Sequence, residues 1–172
     1  ARPFWNTAIL GPRFLASAFT SGPALIILAL QLIDRFTELK VPSSVIDLMA
    51  LIATISLQIN LFLLGAELFT DFYFPTEHSA AAQYLFFGLQ GFDALGPWIW
   101  SAVALNVAAV TIFTVHRWRQ RRGLLNLACV MAAVGVWIEK GMGLIVPGFV
   151  PTPIGEMFDY VPTSVEVGVS IA

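Results

Sequence analysis

The sequence predicts an all-α fold: a polytopic transmembrane helical bundle of four complete helices and the start of a fifth. The composition is the first observation. Only 12% of the 172 residues are charged and 58% are hydrophobic, whereas soluble domains carry about 25% charged residues. The second is that apolar stretches of about 20 residues, the length that crosses a bilayer as a helix, recur along the chain.

We expect residues 1–172 to form a single membrane domain. The chain starts with Ala1 rather than Met and stops inside an apolar stretch, so we expect it to be a piece of a longer protein. Pro23 and Pro97 fall within predicted spans, where membrane helices tolerate proline because neighbouring groups re-satisfy the backbone. The predicted spans are residues 14–33, 45–69, 92–115, 124–146 and the truncated 163–172.

The basic residues predict how the chain lies in the membrane. Loop 116–122 holds four arginines, whereas loops 70–91 and 147–162 contain acids and neither lysine nor arginine. Because cytoplasmic loops are enriched in lysine and arginine, we expect loop 116–122 in the cytoplasm and the two acidic loops outside. Arg2 and Arg13 fall on the outer side and are mild exceptions. Loop 70–91 is also long enough to form a short helix at the interface.

Glu139 and Lys140, neighbours in the fourth span, raise the main question of function. At 1.5 Å per residue they lie roughly 10–12 Å below the outer surface. Charged groups inside membrane helices are rare, face the bundle interior and often mark proton or substrate pathways. Adjacent helix residues point about 100° apart, so we expect that these two do not satisfy each other. Lys140 would then pair with Glu67 or Glu166. The alternative is that Lys140 snorkels to the interface and Glu139 is held protonated.

No catalytic residue is predicted on this chain, and the candidate site residues are ionisable groups of the outer half. Asp93, at the outer start of the third span, has the alternative role of a helix cap, because acids favour helix N-termini. The polar residues that lie near the middle of their spans are mainly Gln58, Asn60 and Asn106. The residues predicted for proton relay or charge pairing are Glu67, Glu139, Lys140, Asp93 and Glu166.

Several cofactor classes are not expected on this chain. His78 lies in a loop and His116 at a helix end, so the chain does not supply two axial histidines to a haem in its bundle. A single cysteine, Cys129, excludes a disulfide framework and a cysteine-ligated iron–sulfur cluster. No metal site is predicted. Electrons would therefore move through a mobile organic carrier or through partner subunits.

Two stretches resemble the NrfD/polysulfide reductase (PsrC-like) family of integral membrane subunits. The first is RPFWNTAILGPRFLASAFTSGPAL, in which the similarity is carried by Arg2, Pro3, Trp5, Asn6, Phe14, Ser17, Ala18 and Gly22. The second is WIEKGMGLIVPGFVPTPIGEMFDYVPTSVEVGVSIA, where a glycine-rich helix end leads through prolines to Tyr160, Pro162, Thr163 and Glu166. The resemblance spans nearly the whole chain.

The resemblance implies a membrane subunit of a respiratory redox complex in sulfur-compound metabolism. Such a subunit exchanges electrons between the quinone pool, menaquinone in particular, and a ferredoxin-like iron–sulfur subunit on the outer face, with proton transfer. Cytochrome subunits are further partners, and the subunit is not catalytic alone. The resemblance places this chain in the second helical bundle, whereas the best-described quinone pocket of the family is in the first.

Two other functions stay open. In a secondary transporter, the same acids would bind a coupling ion and a substrate. In a structural membrane anchor, they would only hold helices together.

Overall fold

A computed structural model of the chain describes residues 5, 7–38, 40–73, 77–150, 156, 159 and 163–171, without the side chains of residues 77, 78, 166, 167, 170 and 171. Over these ranges the protein is helical and forms no strand, which confirms the all-α prediction. The α-helices are α1 (Leu10–Phe36), α2 (Ser43–Tyr73), α3 (Glu77–Phe87), α4 (Gly96–Thr114), α5 (His116–Arg119), α6 (Arg122–Lys140) and α7 (Ser164–Ile171).

Four helical stretches of the described chain are long and apolar enough to cross a membrane: Leu10–Phe36, Ser43–Tyr73, Gly96–Thr114 and Arg122–Phe149. They pack around a common interior, with α1 against α2 and α6, and α4 against α2 and α6. We call the end of the bundle where α2 ends and α4 begins the acidic-loop end. The opposite end, where α5 lies, is the arginine-loop end. The protein is therefore a multi-pass membrane protein.

The half of the bundle towards the arginine-loop end is a closed apolar core. Small side chains dominate it and let the helices approach closely. Phe113 of α4 is its largest fully buried member. The buried residues of this core are Ala24, Ile27, Ala50, Ala53, Leu57, Ala109, Phe113, Leu125, Ala128, Cys129 and Ala132.

Helix α3 closes the acidic-loop end of the bundle. The short helix expected in loop 70–91 is present, and it packs on α2 and α4 through Tyr84, Leu85 and Phe86. The chain then makes a tight turn in which Leu89 and Phe92 exchange backbone hydrogen bonds of 2.9 and 3.0 Å. This turn explains why α4 begins at Gly96, four residues later than the predicted span.

The acidic-loop end of α6 departs from α-helical geometry. Gly141–Ile145 form a π-helical turn and Pro147–Phe149 a 3₁₀ turn. The indole Nε1 of Trp5 donates a hydrogen bond of 3.0 Å to the carbonyl of Leu144 inside the π turn. The same ring fits because residue 148 is glycine, since a Cβ there would overlap the indole. Trp5 thus fixes the irregular segment that follows Glu139 and Lys140.

Tyr84 ties α3 to the loop that precedes α7. Its side chain is fully buried, and its hydroxyl donates a hydrogen bond of 2.8 Å to Asp159 Oδ1. Burial, followed by the hydrogen bond and the negative charge of Asp159, raises the pKa of Tyr84 far above its ordinary value.

Tyr84 should make the protein less stable at alkaline pH. Above about pH 10, where tyrosine in an unfolded chain loses its proton, the folded chain keeps the proton of Tyr84. The unfolded state then binds fewer protons than the folded state, so the free energy of unfolding falls as the pH rises. We expect this fall to be shallower in Tyr84→Phe, and an absorbance titration to show one of the three tyrosines ionising later than the others. Simultaneous ionisation of all three would contradict the prediction.

A buried charge cluster as the candidate functional site

Four charged side chains from three helices meet inside the bundle. Arg13 of α1 donates through Nη1 to Glu67 Oε2 of α2 and through Nη2 to Glu139 Oε1 of α6, the latter at 2.8 Å. Lys140 Nζ donates to the same Oε1 at 2.8 Å. We call the series Glu67–Arg13–Glu139–Lys140 the charge chain. With two acids and two bases it is electrically balanced.

Glu139 is the most enclosed member of the charge chain, with 1% of its surface exposed. Its second oxygen, Oε2, accepts hydrogen bonds of 3.0 Å from Asn60 Nδ2 and Asn106 Nδ2. An ionised carboxylate offers about four acceptor sites, and the donors of Arg13, Lys140 and the two asparagines occupy that number. A protonated carboxyl group would turn one acceptor into a donor facing another donor. The geometry therefore suits an ionised Glu139.

Ser17 orients the amide of Asn60. It lies one turn after Arg13 on α1, where its hydroxyl donates to the Arg13 carbonyl and lies 3.4 Å from Asn60 Oδ1. With the amide oxygen facing Ser17, the amide nitrogen faces Glu139. The polar face of α1 therefore holds both Arg13 and a group that aims a third donor at the same carboxylate.

Gly135 makes room for Asn106. A Cβ at residue 135 would overlap Asn106 Oδ1, so the close approach of α4 and α6 at this level requires glycine. Asn106 Oδ1 and Arg13 Nε are buried without a hydrogen-bond partner in the described part of the chain. Buried polar atoms of this kind are commonly satisfied by internal water.

A small cavity adjoins the charge chain at the acidic-loop end. Its volume is about 20 Å³ and its lining includes Arg13, Glu67, Asp71 and Glu139, which is enough space for about one water molecule. Towards the arginine-loop end, the apolar core begins below Asn60 and Asn106 and includes Leu57 and Ala109. The polar environment of the charge chain thus continues in one direction only, towards Asp71.

The expectation that Glu139 and Lys140 do not satisfy each other is wrong. Their Cβ atoms point apart, but the lysine stem is long and flexible, and it bends back to Glu139 Oε1. Pairing of Lys140 with Glu67 is also wrong, because Glu67 accepts from Arg13. Lys140 does not snorkel either, since only 12% of its side chain is exposed.

Two predicted site residues are not brought into the charge chain. Asp93 is exposed in the turn before α4, and the alternative that it caps this helix is wrong, because the N-cap is Leu95 and no side chain caps it. Glu166 lies in α7, but its side chain is outside the described residues. Its pairing with Lys140 stays a prediction.

Sequence reasoning missed Arg13 as a site residue. The signal was that Arg13 departs from the positive-inside rule. An arginine in a membrane helix, on the side where basic residues are rare, needs a buried acidic partner.

Within the described ranges, no three His, Cys, Asp or Glu side chains are grouped to hold a metal ion. His116 is exposed and Cys129 is buried in the apolar core.

Gly135→Ala should destabilise the protein. The added methyl group overlaps the Asn106 amide and forces it away from Glu139, and overpacking of this kind costs about 1–3 kcal/mol. Gly123→Ala, in the same helix, is the matched control because nothing lies within 4 Å of a Cβ there. We expect a lower thermal unfolding temperature in detergent for Gly135→Ala and no loss for Gly123→Ala. Equal behaviour of the two variants would contradict the prediction.

Arg13→Gln should be more damaging still. It removes the cationic partner of Glu67 and one of the two cationic partners of Glu139, and breaking a buried ion pair from one side costs about 3–5 kcal/mol. The exposed ion pair between Arg122 and Asp34, 3.2 Å apart, provides the control, since Arg122→Gln should shift the unfolding temperature far less. The measurement is thermal unfolding in detergent, and similar shifts of the unfolding temperature in the two variants would contradict the prediction.

Comparison with known proteins agrees with a multi-pass membrane protein. The family described as "Polysulphide reductase, NrfD" matches residues 1–151. No curated protein and no solved structure matches the chain. Because the family match covers most of the chain, this protein belongs to the NrfD polysulphide reductase family.

Proposed function

We propose that the chain is part of a membrane subunit that exchanges electrons between the quinone pool, menaquinone in particular, and an iron–sulfur partner, and that its charge chain handles the accompanying protons. Members of the family are membrane subunits of quinone-linked complexes and partner with iron–sulfur subunits. The single observation that supports the proton role is the buried charge chain beside a water-sized cavity. Oxidation of a quinol releases two protons with two electrons, and ionisable side chains accept such protons.

The apolar groove between α2 and α4 does not fit a quinone headgroup. It lies under α3 and has a volume of about 900 Å³. Its polar side chains are those of Tyr73 and Trp100, and Trp100 Nε1 already donates to the Phe86 carbonyl at 3.0 Å. The groove suits an apolar chain better than a quinone headgroup, whose two carbonyls each accept a hydrogen bond. We therefore place the headgroup site in another part of the protein and assign to this bundle only the passage of the released protons.

Glu67 is the proton-exchanging carboxylate in this proposal. Its side chain is 14% exposed and it lines the cavity together with Asp71, one helical turn further along α2. When Glu67 takes up a proton, Arg13 keeps its contact with Glu139 through Nη2. The charge chain then stays assembled in both protonation states of Glu67.

Glu139 is the fixed counter-ion rather than a second carrier. Its oxygens accept hydrogen bonds from Arg13, Lys140, Asn60 and Asn106. A proton on either oxygen would displace one of these donors. Glu139 holds Arg13 and Lys140 in place, and Arg13 in turn binds the carboxylate of Glu67. Lys140 serves as the charge partner that keeps Glu139 ionised.

Proton exchange takes place at the acidic-loop end, because the apolar core separates the charge chain from the arginine-loop end. The distribution of arginines predicts that the acidic-loop end faces outwards. An iron–sulfur subunit of the ferredoxin type would dock at this end, with cytochrome subunits in the same complex.

The two family-like stretches resemble DsrP, the NrfD-like subunit of the sulfite-reductase-associated membrane complex. On that basis we assign the chain to the second bundle of such a subunit and to sulfur-compound metabolism. The complex would lie in a bacterial inner membrane or an archaeal plasma membrane.

A structural anchor is the second candidate, and the saturation of Glu139 favours it. A charge chain with every partner in place can hold three helices together without moving a proton. A secondary transporter would instead be supported by substrate uptake by the protein without redox partners.

The proton role is tested with Glu67→Gln in the full-length complex, reconstituted in vesicles. We expect quinol oxidation and the proton release coupled to it to fall by about 100-fold, at the lower end of what a positioned acid–base group contributes. Asp93→Asn is the matched control, because that acid is exposed and lies outside the charge chain. It should leave both rates unchanged.

The outcomes separate the candidate functions. Normal turnover and proton release in Glu67→Gln would remove Glu67 from the relay. Poor assembly with normal turnover per assembled complex would support the structural anchor.

A further inference from the structure

A second polar cavity lies at the arginine-loop end, on the other side of the apolar core from the charge chain. It has a volume of about 380 Å³ and lies where α1 ends, α2 begins and α5 leads into α6. A volume of this size is typical of small-molecule pockets. Its charged and amide-bearing lining residues include Gln31, Asp34, Asp47, Arg119 and Arg122.

Two donors of this cavity lack acceptors. Gln31 Nε2 and Arg119 Nε are buried atoms with no hydrogen-bond partner among the residues that the structure describes. An unsatisfied buried donor costs about 1–3 kcal/mol. Two of them in the lining of one cavity point to a bound acceptor.

The charges of the cavity are of both signs. Asp34 is already satisfied, because it accepts from the Val41 backbone and from Arg122 Nη1, each at 3.2 Å. Arg119 and Asp47 form no ion pair within the described ranges. The terminal nitrogens of Arg119 lie 3.4 Å from the Phe113 carbonyl and from His116 Nδ1, both neutral groups. The charges of one cation and one anion therefore remain to meet a ligand.

We propose that this cavity binds the phosphoethanolamine headgroup of a phospholipid. The phosphate accepts from Arg119 and Gln31, and the ammonium group lies against Asp47. Pockets between transmembrane helices with basic residues are known sites for lipid headgroups. The lining carries two arginines and two aspartates, so it matches a zwitterionic headgroup better than an anionic one.

The position in the fold supports a lipid rather than a soluble molecule. The cavity lies at the ends of spanning helices, and Val41, Ile46 and Leu125 give it apolar walls. The exposed indole of Trp118 lies in the neighbouring α5, as is typical of aromatic residues at a membrane interface. A headgroup in the cavity could leave its acyl chains along the apolar outer surface of the bundle.

Lipid retention by the full-length complex in detergent tests this proposal. Native mass spectrometry would be run after adding phosphatidylethanolamine and phosphatidylglycerol in equal amounts. We expect the wild-type complex to retain phosphatidylethanolamine preferentially. Arg119→Gln should lower that retention by about tenfold or more, as for loss of a charge-assisted hydrogen bond.

Two further variants make the test specific. Arg117→Gln, in the same loop but outside the cavity lining, should retain lipid like the wild type. Asp47→Asn should lose the preference for phosphatidylethanolamine over phosphatidylglycerol while still binding both, and it keeps the test informative if Arg119→Gln fails to assemble.

Three results would overturn the proposal. One is the absence of any lipid preference in the wild-type complex, and another is equal retention by Arg119→Gln and Arg117→Gln. The third is displacement of the lipid by free phosphoethanolamine at equal concentration, which would assign the cavity to a soluble ligand.

Discussion

The contact on which the bundle depends is the two-sided ion pair of Arg13. A charge removed from water inside a bundle is costly unless an opposite charge and hydrogen bonds compensate it, and Arg13 is 5% exposed. Its two terminal nitrogens reach carboxylates on two different helices, so α1, α2 and α6 cannot move apart without exposing charges of both signs to an apolar medium. Asn106 extends the same constraint to α4 through Glu139. One guanidinium group therefore sets the relative depth of four helices.

This constraint divides the bundle into two halves of different chemistry. Around and above Glu139 the interior is polar, and it continues through a small cavity to Asp71. Below Asn60 and Asn106 the interior consists of alanines and larger apolar side chains. In the proposed function, this division gives a proton a path to one face of the membrane, and the apolar half prevents leakage to the other. Helix α3 and Trp5 support the polar half from the acidic-loop end, where the α-helical geometry of α6 stops.

The sequence was sufficient to predict what depends on local composition. Long apolar stretches predicted the all-α membrane bundle, and charge in an apolar span drew attention to Glu67, Glu139 and Lys140. Pairing could not be predicted, because it depends on which helices are neighbours and on how far long side chains bend. The Cβ directions of Glu139 and Lys140 predict no contact between the two side chains, yet the long lysine side chain bends back to the carboxylate. The role of Gly135 was equally hidden, since a glycine that accommodates Asn106 looks like any other small residue in a membrane helix.

The π-helical turn after Lys140 has a consequence for how this protein can change. In a π turn each hydrogen bond spans five residues instead of four, so Gly141–Ile145 holds one residue more than a regular helix of the same length would. Deleting one residue there would restore an ordinary α-helix without moving Glu139 or Lys140. Because four α-helical residues turn and rise by about the same amount as five π-helical ones, the chain that follows would keep its direction. The extra residue is thus absorbed in one widened turn, the turn whose Leu144 carbonyl accepts from Trp5.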